Sequence, residues 1–174
     1  MIIYQIRSLV DNQQKLSFLS DLDKKRYIEL LEEIFDLTDP KVIETFNAAG
    51  NNYFYKFGIL NCFKDTKLPF NIAYIKDYDF AKEQILIQYY SDVEDEVESI
   101  RFDGIEVYAD YEKVIRHDFL NKSFCYEKLL WIHVPKESKN LNIFIDGKKA
   151  MIGFKIYDIK VQDIRKEFAN SSFL

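Results

Sequence analysis

The sequence predicts an α+β fold in which N-terminal helices pack on a largely antiparallel β-sheet with two Asp-Gly hairpins and a short C-terminal helix. Capping signals and helical periodicity cluster between residues 20 and 50, whereas β-branched and aromatic runs bounded by turn residues dominate from residue 53 onward. Helices that precede a group of strands, and do not alternate with them, are typical of the α+β class.

The first part of the chain is predicted to hold one strand and one long helix. Apolar residues alternate with others at Ile2, Tyr4 and Ile6, which predicts a short strand with one buried face. Ser20 and Asp23 have the spacing of a capping box, with Asp in place of Glu, and predict a helix over residues 21–36. The apolar stripe of this helix consists of Tyr27, Ile28, Leu31, Ile34 and Phe35.

A second helix of about ten residues is predicted after Asp39. Asp39 is an N-cap residue followed by Pro40 at the first helical position, and Gly50 supplies a stop signal. The residues predicted to pack from this helix are Val42, Ile43 and Phe46.

From residue 53 the pattern indicates strands. Residues 53–60, 71–75 and 84–90 are ring-rich or β-branched runs. Residues 129–134 form a further apolar run, which Pro135 ends. These four runs are therefore predicted to be strands.

Two Asp-Gly dipeptides predict tight antiparallel hairpins, because glycine adopts the positive φ that a two-residue turn needs. Asp103-Gly104 separates residues 99–102 from 105–108, and Asp146-Gly147 separates residues 141–145 from 151–157. Beyond them, Asp158 is an N-cap for a short helix with an apolar stripe at Val161, Ile164 and Phe168.

Composition predicts a single globular domain over residues 1–174. Apolar residues make up 48% and charged residues 30% of the chain, proportions typical of a folded globular protein. No linker rich in Pro, Gly or Ser divides the sequence, and it contains no internal repeat. A chain of 174 residues can bury one core of ordinary size.

The sequence indicates a cytoplasmic protein. Cys62 and Cys125 are far apart in sequence and lack the CxxC spacing of a zinc or redox site, so a reducing compartment is expected. The N-terminal residues lack the pattern of a secretory signal, and no apolar run reaches the length of a membrane span.

No set of catalytic residues is recognisable, so the chain is predicted not to be an enzyme and to need no cofactor or metal. It has only two histidines: His133 lies in a predicted strand, and His117 precedes Asp118 in the dipeptide of metal-dependent phosphohydrolases without their other ligands. The five glycines form neither a phosphate-binding loop nor a nucleophile elbow.

Charge is concentrated in one stretch of the sequence. Residues 91–118 contain ten acidic and three basic residues, a net charge of −7 in a chain whose total is −5. Five of the carboxylates fall within residues 92–98. This run is interpreted either as a solvated loop that discourages aggregation or as a surface that attracts a basic partner. It lacks the ligand order of a calcium loop, and its charge disfavours nucleic acid.

The leading hypothesis is a non-enzymatic inhibitor that binds a basic protein, such as the nuclease domain of a toxin. Small acidic proteins that neutralise toxins share this overall composition, and tyrosines supply contact area at an interface. An adaptor or chaperone-type interaction domain is one alternative, and an enzyme with carboxylate-based catalysis is a second. The residues predicted to bind the partner are Asp92, Glu94, Asp95, Glu96, Glu98, Tyr89, Tyr90, Tyr108 and Tyr111.

Overall fold

The computed structural model describes residues 2–47, 52–153 and 164. These residues belong to two compact units. Unit 1 comprises Met1–Pro69 and Arg116–Tyr126, and unit 2 comprises Phe70–Ile115 and the chain from Glu127 onward. The prediction that the whole chain is a single domain stays a prediction.

Unit 1 contains four α-helices and a 3-10 turn among its described residues. They are α1 Ile2–Leu9, a 3-10 turn Gln13–Leu16, α2 Asp21–Asp36, α3 Pro40–Thr45 and α4 Tyr53–Lys64. The core of the unit is rich in rings: Phe35 stacks on Phe63 at a centroid distance of 5.3 Å, and Phe63 meets Phe119 edge-on at the same distance. Aromatic pairs in these geometries stabilise a core beyond the area that they bury.

The predicted first strand is wrong, because residues 2–9 form the helix α1. Ile6 and Leu9 are buried, whereas Tyr4 is exposed. Ile2, Ile6 and Leu9 have the spacing of one helix face. The alternation of apolar residues at positions 2, 4 and 6 has the spacing of one strand face, so both patterns are present. A run this short carries both periods, and packing in unit 1 selects the helical one.

The two predicted helices that follow are present. Ser20 and Asp23 form the capping box of α2: the Ser20 hydroxyl accepts from the Asp23 backbone N–H at 3.2 Å, and an Asp23 carboxylate oxygen accepts from the Ser20 backbone N–H at 3.2 Å. In α3 the Asp39 side chain accepts from the Lys41 backbone N–H at 2.9 Å. Of the residues predicted to pack from α3, only Ile43 is buried.

The strand predicted over residues 53–60 is also wrong, because this run lies in α4. The Asn52 side chain caps α4 by accepting from the Tyr55 backbone N–H at 3.3 Å. Buried residues lie on nearly every side of α4, which removes the amphipathic stripe that marks a helix in a sequence. A ring-rich apolar run without a polar face cannot be told from a buried strand by period alone.

The strands form two sheets. They are β1 Ile72–Asp79, β2 Gln84–Ser91, β3 Glu98–Phe102, β4 Ile105–Val107, β5 Tyr111–Phe119, β6 Lys122–His133, β7 Leu141–Ile145, β8 Lys148–Lys149 and β9 Met151–Ile152. The larger sheet has the order β5-β6-β2-β1-β9, and the smaller one β4-β3-β7-β8. The strands predicted at residues 71–75, 84–90 and 129–134 correspond to parts of β1, β2 and β6.

The inner faces of the two sheets share one apolar core in unit 2. Alternate residues of β2, β3, β6 and β7 are buried, as expected for strands with one face inward. The core includes Ile85 and Ile87 of β2, Ile100 and Phe102 of β3, Leu130 and Ile132 of β6, and Leu141, Ile143 and Ile145 of β7. The alternation determines which side chains of the smaller sheet face outward.

The two Asp-Gly dipeptides lie in the tight turns between β3 and β4 and between β7 and β8. All four of their φ angles are positive, between 50° and 85°, which is the backbone of a type I′ hairpin turn. The partner predicted for β7 was wrong, however. Lys148–Lys149 pairs with β7, while Met151–Ile152 pairs in parallel with β1.

The α+β class, with helices N-terminal to a largely antiparallel set of strands, is confirmed. The predicted C-terminal helix and the stop at Gly50 lie outside the described residues, except for Ile164, which is helical and buried. Among the residues that the structure describes, none of the helices combines the length and apolarity that a membrane crossing requires.

Candidate functional site

The acidic loop, residues 92–97, connects β2 to β3 in unit 2. Hydrogen bonds hold it at both ends. The Ser91 hydroxyl accepts from the Val93 backbone N–H at 3.0 Å, and the Val97 carbonyl accepts from the Asp146 backbone N–H at 3.1 Å. The loop is therefore tied to the start of the turn between β7 and β8 as well as to the strands that it connects.

The buried ammonium of Lys128 holds the loop from beneath. Its side chain, on the inner face of β6, is 5% exposed. The Nζ atom lies 2.9 Å from the Glu96 carbonyl oxygen, 3.0 Å from Glu112 Oε1 and 3.2 Å from Glu98 Oε2. An ammonium has three N–H donors, so these three oxygens satisfy it.

The surroundings of Lys128 keep it charged. Burial lowers the pKa of Lys128, but the hydrogen bond to Glu112 and the charge of Glu98 outweigh that effect, and the pKa lies above its ordinary value. The side chain of Glu98 is only 19% exposed, so the Lys128 amine compensates much of the hydration that this carboxylate loses. Lys128 is thus a fixed cation and not a nucleophile near neutral pH.

Tyr89 completes this network and does not belong to the surface. It is fully buried on the inner face of β2, and its hydroxyl donates to Glu98 Oε2 at 2.5 Å. Burial raises the pKa of Tyr89 well above its ordinary value, and the hydrogen bond to Glu98 raises it further. The prediction that Tyr89 contacts a partner conflicts with this position, because no partner can reach a side chain that is covered.

The predicted acidic residues divide into two groups. Glu98 turns inward to Lys128, whereas Glu94 and Asp95 are exposed, and within the part of the chain described here neither has an ion-pair partner. Asp92 and Glu96 are half-buried, and Glu96 Oε2 lies 3.1 Å from the Ser91 hydroxyl. The exposed carboxylates of the acidic loop are therefore those of Glu94 and Asp95.

Most other carboxylates of residues 91–118 are already engaged. Asp103 accepts from the backbone N–H of Lys139 at 2.9 Å and of Asn140 at 3.0 Å, and the bond from Lys139 lowers the pKa of Asp103. Asp110 accepts from the Gln84 amide at 2.7 Å, and Asp118 belongs to unit 1. Hydrogen bonds from neutral donors fix the first two of these carboxylates in place and leave them charged, whereas Glu98 and Glu112 are paired with the cation Lys128.

The other predicted tyrosines differ in exposure. Tyr108 is 82% and Tyr111 is 60% exposed, while Tyr90 is half-buried with its hydroxyl 3.3 Å from the Gln88 amide nitrogen. Tyr111 and Glu112 are consecutive in β5, so their side chains point to opposite faces of the strand. The contact between Glu112 and Lys128 therefore does not bring Tyr111 to the acidic loop.

A groove of about 360 Å³ lies beside the acidic loop on the outer face of the smaller sheet. Its lining includes Val97 of the loop, Arg101 of β3 and Phe144 of β7. The Arg101 guanidinium carbon lies 5.2 Å from the Phe144 ring centroid, and Arg101 Nε donates to Ser99 Oγ at 3.1 Å. This places an apolar surface and an oriented cation next to Val97, at the end of the acidic loop.

Sequence reasoning missed Lys128, Arg101 and Phe144. The alternation of β6 contains a signal for Lys128, because this residue has the parity of the buried Leu130 and Ile132. The same parity rule places Tyr89 with Ile85 and Ile87. No comparable signal exists for the groove, since Arg101 and Phe144 meet only through the pairing of β3 with β7.

The two histidines lie apart from this loop in the sequence and differ in surroundings. His117, in unit 1, has Nδ1 2.6 Å from Asp11 Oδ2, and the Asp11 carboxylate also accepts from the Asp118 backbone N–H at 2.9 Å. His133 is exposed at the end of β6. No group of three or more His, Cys, Asp or Glu side chains that could hold a metal ion occurs in residues 2–47, 52–153 or at 164.

Comparison of the chain with protein-family models, with curated proteins and with solved structures finds no match.

Proposed function

We propose that the protein is a non-enzymatic, cytoplasmic inhibitor that binds a basic partner protein through the acidic loop, in the manner of an immunity protein that blocks a toxin nuclease. One observation carries the proposal. The exposed carboxylates of Glu94 and Asp95 have no ion-pair partner among the described residues, on a loop that Lys128 and hydrogen bonds at both ends hold in place.

The fixed loop supports this proposal on energetic grounds. Ordering a mobile segment costs binding free energy at each side chain that it immobilises, so a loop that is already ordered binds more tightly. Unpartnered exposed carboxylates attract a cationic surface over a range set by the ionic strength and speed up encounter. Glu98 and Glu112 serve this surface indirectly, because they hold the buried amine that holds the loop.

Apolar contacts complete the proposed surface. Val93 is 47% and Val97 is 75% exposed within the loop, and Val97 continues into the groove formed with Phe144. Tyr108 and Tyr111 are exposed outside this loop, and tyrosine suits a protein interface in general because it provides large contact area at low entropic cost. In this proposal the carboxylates speed up association with the partner, and the apolar side chains slow its dissociation.

The partner class is tested with the product of the reading frame adjacent to this gene. That product is expressed in a bacterial host with and without this chain, and complex formation is measured by titration calorimetry. We expect growth inhibition that this chain relieves and a one-to-one complex. If the purified neighbour neither binds the chain nor inhibits growth, the inhibitor proposal fails and the adaptor alternative is favoured.

The role of the acidic loop is tested by the double variant Glu94→Gln, Asp95→Asn. Because these side chains contact no cation among the described residues, the fold should be retained while the association rate at low salt falls, on the order of tenfold. The matched control is Asp65→Asn, Glu137→Gln, which changes the net charge equally at two other exposed carboxylates. Equal association rates for the two double variants, or a wild-type rate that does not depend on salt, would contradict the proposed role.

A further inference from the structure

A second surface of the molecule lies in unit 1, on the solvent-facing side of α2. Three leucines project from it: Leu22 is 76%, Leu30 is 40% and Leu37 is 91% exposed. Leu37 is the C-cap residue and keeps a helical backbone, with φ −75° and ψ −10°. Exposure of single leucines is ordinary, but three on one face of one helix form a stripe.

Two charged residues separate the leucines of this stripe. Arg26 lies between Leu22 and Leu30, and Glu33 lies between Leu30 and Leu37, with side chains 59% and 65% exposed. Successive members are three or four positions apart, so all five fall on one helix face. The stripe thus has the order apolar, positive, apolar, negative, apolar along the helix.

This order is self-complementary under a twofold axis perpendicular to the helix near Leu30. An antiparallel second copy of α2 places Leu22 against Leu37 of the second copy and Arg26 against its Glu33. By symmetry the reverse contacts also form, as an isologous interface requires. A parallel arrangement would instead place the two Arg26 side chains together and the two Glu33 side chains together, which is unfavourable.

We propose that this face of α2 is a self-association surface, at which two copies of the chain pair antiparallel through Leu22, Leu30 and Leu37. The occupant is a second copy because the stripe matches its own reversed order in both apolarity and charge. This proposal is independent of the acidic loop and of any partner bound there.

The leucines provide the favourable free energy of this dimer, and the charges set its orientation. Within one copy Arg26 already lies 3.3 Å from Glu29 and 3.6 Å from Glu33. Replacing these ion pairs by a pair with Glu33 of the second copy therefore adds little binding free energy. A helix of 16 residues is about 24 Å long, and one such contact falls at the small end of specific interfaces. We therefore expect a weak dimer, with a dissociation constant on the order of 10 to 100 μM.

Charge-swap variants and sedimentation velocity of the full-length chain test the proposal. Arg26→Glu places like charges at both symmetry-related contacts, and so does Glu33→Arg, so each should weaken dimerisation about tenfold or more, or about 1.4 kcal/mol. The double variant R26E/E33R restores opposite charges across the axis and should dimerise like the wild type. In a parallel pair each of these residues would face its own copy, so the single swaps would leave the number of like-charge contacts unchanged and would not weaken the dimer relative to the double variant.

The leucine contribution is tested with Leu22→Ser, Leu37→Ser. Both side chains are exposed, so circular dichroism should show an unchanged fold while the dimer is lost. Ile105→Ser, at a residue 72% exposed in β4, is the control and should dimerise normally. A wild-type chain that stays monomeric up to millimolar concentration overturns the proposal, and so does a double charge swap that fails to recover the dimer lost in the single variants.

Discussion

Lys128 is the residue on which the candidate site in unit 2 depends most. Its amine joins β6 to the acidic loop and to carboxylates on β3 and β5. A buried charge is tolerated only when its partners compensate the lost hydration, and here three oxygens do so. The same amine therefore sets both the local stability and the position of the loop.

Replacement of this amine is predicted to destabilise the protein strongly. Lys128→Met keeps the bulk of the side chain but leaves Glu98 without its cation, and we expect a loss of about 3 kcal/mol in the free energy of unfolding by urea. Lys128→Met, Glu98→Gln should recover part of this loss because it removes the isolated charge. A loss below about 0.5 kcal/mol for the single variant, the range of ordinary surface substitutions, would show that the network is not stabilising.

Individual residues also show why the site could be predicted only in part. The run of carboxylates at residues 92–98 is evident in the sequence, and Glu94 and Asp95 are exposed as a solvated run suggests. The inward turn of Glu98 follows from its parity with Ile100 and Phe102 in β3, a local signal. Its neutralisation does not, because Lys128 is 30 positions away and approaches only across the folded sheets.

At the level of elements, prediction succeeded where a local signal determines the structure. The capping box of α2 and the Asp39-Pro40 start of α3 fix the beginnings of both helices through contacts within three residues. Asp103-Gly104 and Asp146-Gly147 fix the positions of two turns in the same way, because few other residues adopt their backbone angles. Neither signal requires knowledge of the rest of the fold.

Prediction failed for α1 and α4, where the local signal is ambiguous. The six residues at the start of the chain support both periods, and α4 lacks a polar face. Met151–Ile152 was assigned to the wrong strand pair because a partner in another part of the chain, β1, determines its pairing. All three errors arise where packing, and not propensity, selects the structure.

The close packing of α4 leads to a prediction at Gly58. A Cβ atom at this position would lie 2.0 Å from the Phe124 ring, although alanine is the better helix former. Gly58→Ala should therefore destabilise the protein by about 1 to 3 kcal/mol in urea unfolding, because overpacking outweighs propensity. Gly58→Ala, Phe124→Leu, which reduces the ring, is the compensating variant and should be more stable than Gly58→Ala alone. If Gly58→Ala stabilises the protein, the helix does not approach this ring closely.

Considered as a whole, the molecule contains buried groups in each unit whose pKa values are raised. In unit 1 burial raises the pKa of the Cys62 thiol from 9.0 to about 12, and in unit 2 the pKa values of Tyr89 and Lys128 are also raised. In each case the folded state binds the proton more tightly than the unfolded state. Their stabilising contributions are therefore complete below the ordinary pKa values and are lost as the pH rises.

Alkaline unfolding is predicted to begin near pH 9 and to depend on Cys62. The unfolded thiol ionises near pH 9 while the folded thiol stays protonated to about pH 12, so stability declines across this interval by up to about 4 kcal/mol. Cys62→Ala should show a shallower decline in urea midpoint above pH 9, whatever its stability at neutral pH. If the urea midpoint falls with pH at the same rate in Cys62→Ala and in the wild type, this thiol does not contribute to the alkaline loss of stability.

Local sequence signals were enough to predict the fold class, the capped starts of α2 and α3, the positions of the two Asp-Gly turns and the run of carboxylates, because each depends on residues close together in the chain. The helical state of α4, the pairing of β9 with β1 and the position of Lys128 beneath the acidic loop became evident only in the folded structure. These features depend on contacts between distant residues, and the free energy of such contacts arises only when burial and strand pairing bring them together.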